Sequence, residues 1–246
     1  MAMLTLHRRY GSVVELVTIE KPPRQVRVHA SRKRNPVHGA RRLDNIRRTR
    51  QICVRRVLAA LEVFGRPLLV TLTFAGDASD AAYANDALRG FQVRLRAAYP
   101  LAAFLFIPEL SPRGRIHFHG LLFNMPLHLG DTRQGRRIVS YGEERRTRVL
   151  AGLWREGFVD AVQTDGSGRL AYYISKYLTK GAGEVMFNPM RLIRASRNMP
   201  KETVIRGTVA EMLARGLAGH TPAKTWSGQH AYLGRIEKST YHLEPS

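Results

Sequence analysis

The chain has 246 residues, 44% of them hydrophobic, and carries 40 Lys and Arg against 19 Asp and Glu, a formal net charge of +21. That length supports one sizeable core, and that charge asks for a polyanionic partner. A single cysteine, Cys53, excludes an internal disulfide and any zinc site built from cysteine pairs, so a metal would be held by His and carboxylate oxygen.

No apolar run reaches the roughly 18 residues of a membrane helix, and Arg8 and Arg9 interrupt the N-terminus before a signal-like apolar segment forms. The expected location is the cytoplasm. Residues 1–44 are rich in Arg and Lys, contain Pro22, Pro23 and Pro36, and show one short apolar stretch from Val13 to Ile19. They read as a largely extended basic arm. Arg24, Arg27, Arg32, Lys33, Arg34, Arg41 and Arg42 there suit either phosphate contacts or a solvated tail.

From Asn45 to Phe64, Ile46, Ile52, Val57, Leu58, Leu61 and Val63 recur at helical spacing until Gly65-Arg66-Pro67 stops the pattern. Leu68 to Phe74 reads as a central strand, and Ser79 or Asp80 caps a helix running to Tyr99. Ala103 to Leu110 and Arg115 to Phe123 form a hairpin about the turn Ser111-Pro112-Arg113-Gly114. A helix over Glu143 to Arg155, a strand over Phe158 to Val162 and a helix from Arg169 to Lys180 follow. The order predicts an α+β domain over residues 45–200, with a mainly antiparallel sheet and helices packed on one face. Residues 201–246 form a C-terminal segment of weaker signals, with an amphipathic helix around Thr208 to Leu217.

Two clusters carry chemistry. In Arg115-Ile116-His117-Phe118-His119-Gly120, strand alternation puts His117 and His119 on one face and Ile116, Phe118 and Leu122 on the other. Glu109 sits across the short turn, where hairpin pairing brings its carboxylate beside the imidazoles; Glu143 and Glu144 are alternative third ligands. Such a His-His-Glu set, with open positions, suits a divalent ion that also binds a phosphate oxygen, Mg²⁺ or Mn²⁺ at least as readily as Zn²⁺. The second cluster is Tyr172-Tyr173-Ile174-Ser175-Lys176-Tyr177-Leu178-Thr179-Lys180, where Tyr173 and Tyr177 share a helix face and Lys176 and Lys180 each follow a tyrosine by three. A nearby cation favours the phenolate, the nucleophilic form of a group whose free pKa is about 10. Tyr172, about 100° round the helix, is assigned to packing.

Taken together, Val70-Thr71-Leu72-Thr73-Phe74, then His117-Phe118-His119 with Glu109 upstream, then Tyr173-Ile174-Ser175-Lys176-Tyr177 resemble the HUH-endonuclease rolling-circle replication initiators of small single-stranded-DNA phages, those with two tyrosines above all. The resemblance covers about residues 45 to 200. It implies an HUH, palm-like nickase domain in which His117, His119 and Glu109 hold Mg²⁺ or Mn²⁺. It also implies that Tyr173 or Tyr177 cuts a single-stranded-DNA origin, leaving a 5′-phosphotyrosine and a free 3′-OH, with Lys176 and Lys180 assisting.

With no G-x-x-x-x-G-K-[ST] sequence in the chain, a helicase would be borrowed from a host, and the resemblance implies a host DNA polymerase as a further partner, in the bacterial host cytoplasm. Arg113, Arg115, Arg136 and Arg137 are further phosphate contacts or a solvated surface. The alternatives are a transposase with the same chemistry, or a silent nucleic-acid-binding module stacking bases on Phe118, Tyr173 and Tyr177. In the C-terminal segment, Trp226, His230 and Tyr232 either pack on a sheet or touch DNA.

Overall fold

The computed structural model describes residues 3–20, 40–125, 137–138, 148–180, 192–230 and 233–243. In chain order the elements are β1 (Leu4–Tyr10), β2 (Val13–Ile19), α1 (Ala40–Phe64), β3 (Leu68–Phe74), α2 (Ala81–Ala98), β4 (Ala103–Leu110), β5 (Ile116–Phe123) and β6 (Arg137–Ile138). They continue with α3 (Arg148–Trp154), β7 (Gly157–Gln163), α4 (Arg169–Ser175), α5 (Tyr177–Lys180), β8 (Arg194–Ala195), β9 (Thr203–Arg206), α6 (Thr208–Arg215), β10 (Lys224–His230) and β11 (Gly234–His242). They form two compact units, residues 39–200 and residues 1–38 with 201–246.

The first unit is built on an antiparallel sheet of order β6-β7-β3-β5-β4-β8. The fold class is α+β with an antiparallel sheet, but helices cover both faces rather than one. The reason is visible in β4, whose first six residues are all buried, so both of its sides need an apolar cover. On one face Val70, Leu72, Phe74, Phe106 and Phe118 meet Leu88, Phe91 and Leu95 of α2 and Leu150 and Trp154 of α3. Phe91 packs edge-on against Phe106 at 5.7 Å and against Trp154 at 5.9 Å. The indole N–H of Trp154 donates to the Thr73 carbonyl at 3.0 Å, so burying this ring strands no donor. On the other face Leu105, Ile107, Leu121 and Phe123 meet Cys53, Val57 and Ala60 of α1 and Leu170, Ala171 and Ile174 of α4. Cys53 is an apolar helix residue here, its thiol pushed up to about 12 by burial.

Local signals account for the element ends. Gly65, at a φ of 72° that other residues avoid, closes α1 by donating to the Leu61 carbonyl at 3.0 Å. Asp80 caps α2, its carboxylate accepting from Ala82 N at 2.8 Å. The helix read as running unbroken from Arg169 to Lys180 is instead two segments with a turn at Lys176. Of the helix read over Glu143 to Arg155, residues 148–154 form α3 and residues 143–147 lie outside the described residues.

The second unit is an antiparallel sheet of order β10-β11-β2-β1-β9, with α6 packed against β1. The N-terminal arm reading is corrected for residues 4–19, where β1 and β2 pair along their full length as a hairpin. Alternating burial along β1 and the buried Val13 and Val14 give these strands a face to cover, which an unpaired arm would leave in water. The carboxylate of buried Glu15 is matched by Tyr10 Oη at 2.7 Å, Arg8 at 3.2 Å and Lys238 Nζ at 2.5 Å. Of the arm's basic residues, Arg24, Arg27, Arg32, Lys33 and Arg34 lie outside the described residues, as do the side chains of Arg41 and Arg42.

Candidate active site

The site begins with the alternation of β5. Ile116 and Phe118 enter the core on one side, and His117 and His119 stand on the other, half-buried. Phe118 is fully buried, which removes it as a base-stacking contact. Register then sets the neighbours: Thr73 pairs with His117 and Thr71 with His119 on the β3 side, while Glu109 pairs with His117 on the β4 side. Antiparallel partners project to the same face, so two hydroxyls, two imidazoles and a carboxylate gather there.

The contacts within this group are specific. Thr71 Oγ1 lies 3.2 Å from His119 Nδ1, and Thr73 Oγ1 lies 3.2 Å from His117 Nδ1. Glu109 reaches diagonally to His119, with Oε2 2.5 Å from Nε2. Burial holds the His117 imidazole below its ordinary pKa; the Glu109 charge opposes this and Arg115 adds to it. Both histidines thus have one ring nitrogen fixed by a hydroxyl. The two threonines escaped the sequence reading because in Leu-Thr-Leu-Thr-Phe they pass for ordinary strand formers; their strict alternation with core residues was the available signal.

α4 and α5 bring the tyrosines over the same sheet face. Leu170, Ala171, Ile174 and Leu178 anchor the segment in the core, and Arg50 of α1 donates to Ser175 Oγ at 3.3 Å near the junction. Tyr177 is carried onto His119, its ring stacked on the imidazole at 3.8 Å with 12° between the planes. Its hydroxyl lies 2.9 Å from that of Tyr173. Tyr177 is 8% exposed and Tyr173 is 40% exposed, so one phenol is packed against the site and the other opens to solvent. Burial, the hydrogen bond to Tyr173 and the nearby Glu109 charge push the Tyr177 phenol well above its ordinary pKa.

Lys176 serves both rings, its ammonium 3.9 Å from the Tyr173 centroid and 5.6 Å from that of Tyr177. The Lys180 side chain lies outside the described residues, as do Glu143, Glu144, Arg136 and Tyr232 and the side chain of Arg137. Tyr172 is not a packing residue: it turns away from the anchoring stripe and is 54% exposed. Arg113 and Arg115 are exposed at the β4–β5 turn, and Trp226 and His230 are exposed on β10.

This geometry lies inside a segment with a recognised likeness. Residues 67–182 match the family model of the replication-associated protein ORF2. The matched segment runs from the start of β3 beyond the end of α5, just under half of the chain, and contains Glu109, His117, His119, Tyr173, Lys176 and Tyr177. Its similarity is therefore to proteins associated with replication. No curated protein and no solved structure gives a match. Among the described residues no helix is long and apolar enough to cross a membrane.

Two imidazoles and a carboxylate are donor types that could hold a divalent ion. Metal-binding imidazoles are characteristically oriented through their other ring nitrogen, and the Thr71 and Thr73 hydroxyls hold that nitrogen on each histidine. A hydroxyl both donates and accepts, so it serves either tautomer. Among the described residues, however, no three His, Cys, Asp or Glu side chains are already gathered into a metal-binding group. The Glu109–His119 hydrogen bond occupies part of the donor set and has to open before both side chains can bind an ion.

Proposed function

We propose that this chain is a replication initiator that nicks and rejoins single-stranded DNA at an origin by tyrosine transesterification. The observation that carries the reading is the Tyr173–Tyr177 hydroxyl pair, seated on His119 beside His117 and Glu109 within the segment that resembles replication-associated proteins. His117, His119 and Glu109 are the residues that would hold Mg²⁺ or Mn²⁺. When bound, the ion supplies electrostatic stabilisation of the charge developing on the phosphoryl oxygens.

The chain's own residues do the rest. Tyr173, the exposed phenol, is the first nucleophile: its oxygen gives up its proton and bonds to phosphorus, the bond from phosphorus to the 3′ oxygen breaks, and that oxygen takes up one proton in exchange to become a free 3′-OH. The phosphate stays on the tyrosine as a 5′-phosphotyrosine ester, so the number of phosphate ester bonds is conserved and rejoining needs no nucleotide. The Lys176 ammonium over the Tyr173 ring puts a cation beside the phosphate that this phenol attacks, and Tyr177, packed on His119, is reserved for the second transfer. The free 3′-OH suits priming by a host polymerase, with a host helicase opening the strand.

The test is a denaturing gel with mass spectrometry after mixing the protein with labelled origin-like single strands and Mn²⁺. The wild type is expected to give a metal-dependent covalent adduct, lost in Tyr173→Phe and in His117→Ala. Tyr177→Phe is expected to retain the first cleavage and lose strand transfer. DNA binding with no adduct from the wild type on any such strand would remove the nickase reading and leave a binding module.

A further inference from the structure

The sheet row that holds His117 extends beyond it. Glu109 pairs with His117, His117 with Thr73, and Thr73 with Phe158, so these four residues stand side by side across β4, β5, β3 and β7 on one face. Neighbouring strands are about 4.8 Å apart, which places the Phe158 backbone about 10 Å from that of His117.

Phe158 is 62% exposed, while its strand neighbours Val159 and Ala161 are buried on the opposite face with α2 and α3. β7 is therefore anchored without it, and a large ring is left in water on the face of the imidazoles. A cation stands nearby: Arg115, exposed in the turn just before β5, lies close enough to act electrostatically on the His117 imidazole. Lys176 lies over the tyrosines. These cations, offset in part by Glu109 and Asp160 on the same face, with a flat apolar ring set to one side, fit a polyanion carrying flat aromatic groups at intervals. A duplex buries the faces of its bases; a single strand offers them.

We infer that Phe158 is a base-stacking platform for single-stranded DNA, gripping a nucleotide that flanks the phosphate attacked by Tyr173. This rests on the proposed nicking function and adds to it a residue outside the histidine and tyrosine clusters. Phe158 positions the strand and takes no part in bond exchange.

The experiment measures the anisotropy of a short fluorescein-labelled single strand of mixed sequence, in Mg²⁺, with the full chain carrying Tyr173→Phe and Tyr177→Phe so that scission cannot contribute. In that background Phe158→Ala and Phe158→Leu are expected to bind about tenfold more weakly and Phe158→Tyr within about twofold of the parent. The slope of log affinity against log salt is expected to stay unchanged, because stacking releases no counterions. Phe158→Ala binding as tightly as the parent overturns the inference, as does full retention by Phe158→Leu, which would mean simple apolar cover. A large fall in melting temperature in Phe158→Ala also overturns it, as a packing role. If the parent itself binds no single strand, the proposed function falls and this inference with it.

Discussion

At the scale of single residues, the site depends on groups that touch no substrate. Thr71 and Thr73 fix one nitrogen on each imidazole, and loss of such partners typically costs about 10- to 100-fold in metal affinity. Thr71→Val keeps the branched shape and removes the hydroxyl. It is expected to weaken Mn²⁺ binding by about tenfold or more in isothermal titration, with little change in melting temperature; unchanged affinity would show that the hydroxyl does not orient the ring. Much of this layer was legible in the sequence. Two histidines at a spacing of two on an apolar strand, and a carboxylate across a short turn, follow from strand alternation and hairpin register: Glu109 pairs with His117 and hydrogen-bonds His119, though the three form no ready metal-binding group among the described residues. What stayed hidden was set by the far strands: Thr71 and Thr73 on β3 meet the histidines, and Phe158 on β7 joins their row, only through pairings between segments distant in sequence.

At the scale of elements, the hairpin that presents the histidines depends on Gly120. A methyl group placed there would lie 2.2 Å from the Phe106 ring on the paired strand, well inside van der Waals contact. Gly120→Ala is expected to lower unfolding free energy by about 1–3 kcal/mol, read by chemical denaturation, as Phe106 is forced from its packing against Phe91 and Phe104. A neutral result would mean that the β4–β5 pair shifts to accept the methyl. Elements with strong patterns were readable: Leu68 to Phe74 alternates throughout, and Asp80 before an apolar-periodic run marks a helix start. β10 and β11 were not. Lys224 to His230 is exposed along nearly its whole length, so no apolar alternation marks it, and its strand character comes from pairing with β11. Helices on both faces followed from the unbroken apolar run of β4, a signal that alternation alone does not capture.

At the scale of the whole molecule, a net charge of +21 sets how a polyanion is held. For single strands each neutralised phosphate contributes a slope of about −0.7 in log affinity against log salt. With four contacts, a fourfold rise in salt is expected to weaken binding on the order of fiftyfold. Filter binding across a salt series checks this, and a flat profile would mean that the excess cations do not meet the strand. The alternation in β5 has a last consequence at this scale. Over Ile116–His119, the residues that pack with α2 and α3 and the imidazoles that face the tyrosines occupy opposite sides of one strand, so disarming the imidazoles leaves that packing intact. On the proposed nicking function, a chain stripped of both imidazoles is expected to keep its scaffold and to hold a strand without cutting it, suited to capturing that strand for direct observation.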